Sequence, residues 1–216
     1  HALTTSMSDR SNAPANTYDI AQNYGPSALD RRHVFTATYV YALPWFEGQK
    51  GFLGHVLGGW ETSGIFSAVT GLPLNISGNA PSAGVSSIDA AGQGCIGASQ
   101  CPIRPNQVGD PNSGAPHTVA TWFNTAAFAT NTTPGAVSSA RSGAILGPGY
   151  WRADVSIFKQ LRFTERYGMQ LRFETFNVFN HENFNGIGTT FLSSTYGTVT
   201  SSRDPRLIQL GAKFHF

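Results

Sequence analysis

Apolar and polar residues alternate with a period of two along several stretches of the chain, and each stretch predicts an extended strand with one apolar and one polar face. In the final stretch, Ile208, Leu210, Ala212, Phe214 and Phe216 fall on one side and Gln209, Gly211, Lys213 and His215 on the other. Residues 32–43 set Phe35, Ala37, Tyr39, Tyr41 and Leu43 against Thr36, Thr38 and Val40, and Pro44 stops the run. Residues 56–70 set Trp60, Thr62, Gly64, Phe66 and Ala68 against Glu61, Ser63 and Ser67, with Ile65 as an exception. Residues 150–163 set Trp151, Ala153, Val155, Ile157, Leu161 and Phe163 against Arg152, Asp154, Ser156, Gln160 and Arg162. Residues 168–180 begin with Met169, Leu171, Phe173 and Thr175 against Gln170, Arg172 and Glu174. The opening residues could be the tail of a sixth strand whose start is missing.

The connections between these strands run short, very long, short and medium. Trp45 to Gly54 is a glycine-punctuated link, Glu165 to Gly168 a tight turn, and residues 71–149 form a stretch rich in Gly, Pro, Ser, Asn and Thr. Transmembrane barrels show this rhythm, with short periplasmic turns and longer extracellular loops. The pattern therefore predicts an all-β fold: an antiparallel transmembrane β-barrel segment comprising the last five full strands of a barrel. In that reading the apolar rows meet outer-membrane lipid, the polar rows meet an aqueous lumen, and the aromatic end sits at the membrane interface. The C-terminus is expected on the periplasmic side of a bacterial outer membrane, with residues 9–31, 71–149 and 181–204 extracellular.

Composition narrows the picture further. Charged residues make up 12% of the 216 positions and aromatics another 12%, with 24 glycines and 12 prolines, which favours β structure and many turns. No run approaches the roughly 18 apolar residues of a spanning helix, so any membrane crossing falls to strands. A net charge of +2 without a Lys/Arg run gives no reason to expect nucleic acid. The chain starts at His1 with no leader pattern, so a leader has been removed or the chain is a piece of something longer. Cys95 and Cys101 are close neighbours without His or acidic residues beside them, and a small disulfide loop in an oxidising compartment is preferred to a metal site.

Several runs together resemble one family. They are Tyr24-Gly-Pro-Ser-Ala-Leu-Asp-Arg-Arg-His33, Gly59-Trp60 with Ser63-Gly-Ile-Phe66 and Thr70-Gly-Leu-Pro73, Arg104-Pro-Asn-Gln-Val-Gly-Asp-Pro111, Trp122-Phe-Asn-Thr-Ala-Ala-Phe128, Gly147-Pro-Gly149, Phe173-Glu-Thr-Phe-Asn-Val-Phe-Asn-His181 and Pro205-Arg-Leu-Ile-Gln-Leu-Gly211. The set is similar to the C-terminal barrel end of TonB-dependent outer-membrane receptors, the large type with a carboxypeptidase-regulatory-like N-terminal domain. The resemblance covers nearly the whole chain. It implies a 22-stranded barrel, a plug domain and a TonB-engaging box in a missing N-terminal part, and import of a small ligand. It also implies that Ile208, Leu210, Ala212, Phe214 and Phe216 are read by the barrel assembly machinery.

Candidate sites are few. Asp30, Arg31, Arg32 and His33 stand where a loop enters a strand and read as structural ion pairing. Arg152, Asp154, Arg162, Arg172, Glu174 and Lys213 share the polar face and are expected to pair across strands. Trp122, Phe123 and Phe128 could touch an extracellular ligand, although anchoring the long loop is the preferred role. No nucleophile–base pairing or phosphate-binding motif is present, so no enzymatic activity, cofactor or metal is expected. The alternative class is a soluble secreted β-sandwich that binds carbohydrate, in which Ile157, Leu171, Phe173 and Phe214 would be buried against a second sheet.

Overall fold

A computed structural model describes residues 3–4, 20–78, 104–133, 136–164 and 166–216. Cys95 and Cys101 lie outside the described residues. The chain divides into two compact units, each taken here by itself. The first is a sheet unit of His33–Val69, Tyr150–Asn183 and Arg203–Phe216; the second is a loop lobe of His1–Arg32, Thr70–Gly149 and Phe184–Ser202.

The sheet unit is a five-stranded antiparallel meander of β1 (Val34–Ala42), β2 (Trp60–Val69), β3 (Tyr150–Arg162), β4 (Gly168–Phe176) and β5 (Leu207–His215), with each strand beside its neighbour in sequence. Short connections close one end of this sheet: the β1–β2 link and the β3–β4 turn, where Phe163 N–H donates to Tyr167 O at 3.0 Å. From the other end the chain departs into its long connections. No strand among the described residues pairs with the outer edges of β1 or β5, so the sheet is an open wall and not a closed cylinder.

Register keeps every apolar row together. Phe35, Ala68 and Trp151 lie side by side, as do Ala37, Phe66 and Ala153. Tyr41, Thr62, Ile157, Phe173 and Leu210 form one row across all five strands. Because side chains alternate, a one-residue slip in any pairing would mix the two faces. Gly64 sits in the next row beneath the Tyr39 ring, where a Cβ would come within 2.4 Å of Tyr39 Cε1. The absent side chain lets the ring lie flat on the strand.

At 13 residues, β3 is longer than its neighbours and overhangs both. Two amide side chains complete the ladder there. Gln49 donates from Nε2 to Gln160 O at 2.8 Å and accepts from Arg162 N–H at 3.1 Å, beyond the start of β2. Asn183 accepts from Trp151 N–H and donates to Trp151 O, both at 2.9 Å, beyond the end of β4. Unpaired backbone groups are costly away from water, and these two side chains satisfy backbone groups of Trp151, Gln160 and Arg162 that lie past the neighbouring strands.

Two sequence expectations need correction. The strand expected over 56–70 begins at Trp60, because Gly51–Leu57 forms a short helix, α1, inside the link read as irregular. The strand expected over 168–180 ends at Phe176, where Asn177 turns the chain with a φ of 53° and locks the corner by hydrogen bonds to both the N–H and the carbonyl of His181. Leu3–Thr4, where the opening residues could end a sixth strand, is extended and pairs with Gly25–Pro26.

The loop lobe is built from short ladders around an apolar core. Pro73–Leu74 pairs with Ile145–Leu146, Asn106–Gln107 with Phe128–Ala129, Phe184–Ile187 with Val199–Ser202, and Ser77–Gly78 runs parallel to Thr190–Phe191. Ile76, Phe123, Ala127, Phe128, Ala140, Ile145 and Phe191 fill its interior. The described parts of this long connection hold together because they bury a core of their own.

Candidate membrane-facing wall and loop lobe

The two faces of the sheet differ in chemistry. One carries Phe35, Tyr41, Phe66, Trp151, Ile157, Leu171, Phe173, Leu210 and Phe214; the other carries Glu61, Arg152, Asp154, Arg162, Gln170, Arg172, Glu174, Gln209 and Lys213. Both faces are open. Phe173 and Leu171 remain 40% exposed, Phe214 66% and Leu210 76%. A β-sandwich would hide this row beneath a second sheet, and the exposure argues against that alternative. A contiguous apolar surface of this extent belongs against lipid or a partner, not water.

Its height fits a membrane. Between Trp151 and Leu161 the strand takes about ten steps, or ~34 Å. A tilt of about 45° brings this to ~24 Å, close to the apolar band of outer-membrane barrels. Aromatic rings cluster at the long-connection end of the band: Trp151 stacks on His181 at 4.3 Å and touches Phe66 and Phe179 near 6 Å. Trp60 occupies the opposite end of the same face. Rings with an apolar body and a polar edge favour both interfaces.

On the polar face, Arg152 Nη2 meets Asp154 Oδ2 at 2.6 Å, and Arg172 Nε donates to Gln170 Oε1 at 2.7 Å. Both contacts run along a strand, not across strands as the sequence suggests, because the acceptor oxygen, of Asp154 or Gln170, lies two residues away on the same face. Asp154 also accepts from Asn177 N–H at 2.9 Å, which ties the ion pair to the corner after β4. Arg31 donates to Thr70 O at 2.9 Å within the loop lobe.

Lys159 stands in the apolar row opposite Trp60, a position the alternation does not explain. Its ammonium lies 5.0 Å from the centre of the Trp60 ring and donates to Val56 O at 3.1 Å and to Gly58 O. The amine thus reaches the end of the band and neutralises the carboxyl end of α1.

The loop-lobe residues singled out in the sequence have separate fates. Phe123 is 1% exposed and packs edge-on to Phe128 at 6.2 Å and to Tyr196 at 5.4 Å. Both phenylalanines face the interior, so neither presents a ring to a ligand. Trp122 is half-buried, donates to Leu146 O at 3.0 Å, and touches His117 and Phe184 edge-on. Arg104, buried in the same lobe, donates to Ala140 O and Asn23 Oδ1 at 2.9 Å each. Burial lowers its pKa to about 10, which leaves it charged at neutral pH. Burial likewise raises the Tyr196 phenol, whose hydroxyl donates to Thr125 O at 3.3 Å.

Ile208, Leu210, Ala212 and Phe214 pair with Thr175, Phe173, Leu171 and Met169 on the apolar face, and Phe216 follows β5 fully exposed. Gln49, Asn183 and α1 carried no sequence signal; each matters only because of where β2 and β4 stop relative to β3. No curated protein and no solved structure matches the chain. A family model described as an outer membrane beta barrel domain matches residues 1–209. With that match over a sheet whose one face is apolar at membrane height, the chain belongs to the outer-membrane β-barrel domain family.

Proposed function

We propose that the chain is part of the barrel of a TonB-dependent outer-membrane receptor, supplying wall strands and extracellular loops to a protein that imports a small ligand. The observation that carries this reading is the asymmetry of the connections: short links join β1 to β2 and β3 to β4, whereas the chain runs out into a separately packed loop lobe between β2 and β3 and again between β4 and β5. Simple pores need no such mass of ordered loop, whereas a receptor that captures its ligand outside the cell does. The loop and strand runs that resemble TonB-dependent receptors support the same assignment. The role is non-enzymatic, and the polar face of β3 and β4 lines the lumen where plug and ligand pass. The short-connection end is then periplasmic and the barrel assembly machinery reads the β5 row that ends at Phe216.

Two measurements test this. An epitope inserted between Ser113 and Gly114 of the full-length protein should be stained on intact cells, and one inserted after Arg166 only once the outer membrane is permeabilised. The full-length protein should also bind the purified C-terminal domain of TonB. The opposite staining pattern would reverse the orientation, and absence of TonB binding would remove the receptor assignment.

A further inference from the structure

The link between β1 and β2 holds an apolar surface that the wall itself does not require. Helix α1 carries Phe52, Leu53, Val56 and Leu57, all exposed, with Phe52 at 83%. At about 100° per residue these four positions fall within one arc of roughly 140°. Gly51, Gly54 and His55 occupy the other side, where Gly54 is buried so closely that a Cβ would lie 2.8 Å from the backbone of Gln49. The helix therefore rests on its own link through Gly54 and turns its apolar side outward. Trp45 and Phe46, in the turn before it, are exposed as well.

The side of the wall on which α1 lies is fixed by three hydrogen bonds from two side chains. Trp60 Nε1–H donates to Val56 O at 3.0 Å, and Lys159 donates to Val56 O and Gly58 O. Trp60 and Lys159 are register partners on the apolar face. They also border a shallow depression of about 510 Å³ on that face, lined further by Ile157, Leu171, Phe173 and Leu210. The apolar surface of the wall thus reaches the carboxyl end of α1 at Trp60, with Lys159 as the one cation at the join. A helix at this position meets the boundary between lipid tails and headgroups, where an apolar stripe inserts and carbonyls need a cation.

We infer that α1 is an interfacial membrane anchor: it lies outside the barrel in the plane of the phospholipid surface at the short-connection end, with Phe52, Leu53, Val56 and Leu57 in the lipid and Lys159 and Trp60 holding its carboxyl end to the wall. The occupant of the stripe is phospholipid, because the surface it extends is the lipid-facing one. This inference rests on the wall's membrane placement and not on TonB or the nature of the ligand, so it stands or falls separately from the receptor assignment.

The test uses the full-length protein with Cys95→Ser and Cys101→Ser, reconstituted in vesicles of phosphatidylethanolamine and phosphatidylglycerol, with a fluorescent NBD label at Leu53→Cys or, in a second variant, at His55→Cys. Folding is checked by heat-modifiable gel mobility, and Phe52→Cys replaces Leu53→Cys if that variant fails to fold. The label at 53 should be quenched by doxyl-labelled phospholipid and be about fivefold less accessible to iodide than the label at 55. Lys159→Met should restore iodide access at 53 by releasing the helix end. Equal iodide access at 53 and 55 would place α1 in water and overturn the inference. Shielding from iodide without doxyl quenching would assign the stripe to a neighbouring protein or a second copy, and would overturn it too.

Discussion

Replacing Phe173 with arginine is expected to destabilise the folded wall by about 2–4 kcal/mol, the cost of a cation at mid-height on the lipid face of a barrel. Phe173 sits between Ile157 and Leu210, one row inside the Trp60–Lys159 pair and three rows from Trp151, on the lipid side of the sheet where no carboxylate shares its row. Ser156→Arg provides the matched control. Ser156 lies on the polar face directly opposite Glu174 and beside Ser63, and an arginine there gains a cross-strand partner. Its effect should stay within about 1 kcal/mol of zero. Urea unfolding of the full-length protein in phospholipid vesicles, followed by tryptophan fluorescence, measures both. Equal destabilisation by the two substitutions would mean that the faces do not differ in solvent.

Phe123→Ala is the second large effect, and it should fall on the loop lobe alone. Phe123 is the largest fully buried side chain there, wedged against Phe128 and Tyr196, with Ile76, Ile145 and Phe191 in the same core. Truncating a buried phenylalanine costs about 3–5 kcal/mol, in lost burial and in the cavity left behind. The lobe's ladders are mostly two residues long and hold little by themselves, so the core is what orders them. Hydrogen exchange should then rise across 104–133 and 136–149 while β3 and β4 keep their protection. Unchanged exchange in those segments would show that the lobe does not depend on this core.

The wall was legible from the sequence because each of its residues answers to one solvent at a time. A strand between lipid and water shows its environment directly, and the rows from Tyr41 to Leu210 follow from counting by two. The strand limits were less legible, since they depend on neighbours. β4 stops where Asn177 takes a left-handed turn, and no run of residues before it announces that. Helix α1 was hidden because seven residues with two glycines and no side-chain cap give almost no helical signal, and Val56 and Leu57 continue the look of the strand that follows. Lys159 fits neither row until α1 supplies carbonyls for its amine.

The loop lobe was the least legible part. Its pairings join segments distant in sequence, such as Ser77–Gly78 with Thr190–Phe191, and no local period encodes them. The aromatic run Trp122 to Phe128 did mark the place where the core forms. What the sequence left open was direction: a ring that reads equally as a ligand platform or as an anchor is assigned only by burial. Phe123 and Phe128 turn inward, and of the three only Trp122 keeps part of its surface at the exterior.

The central assertion, that the odd-numbered positions of β3 from 151 to 157 look at hydrocarbon and the even-numbered ones at water, is open to a direct reading. Nitroxide labels placed one at a time along residues 151–161 of the full-length protein in phospholipid vesicles report collision with oxygen, which concentrates in lipid, and with a nickel chelate, which stays in water. The account predicts alternation, with high oxygen access at 153, 155 and 157 and high nickel access at 154, 156 and 158. Low access to both reagents at 153, 155 and 157 would place that row in a dry protein interior and contradict the membrane wall.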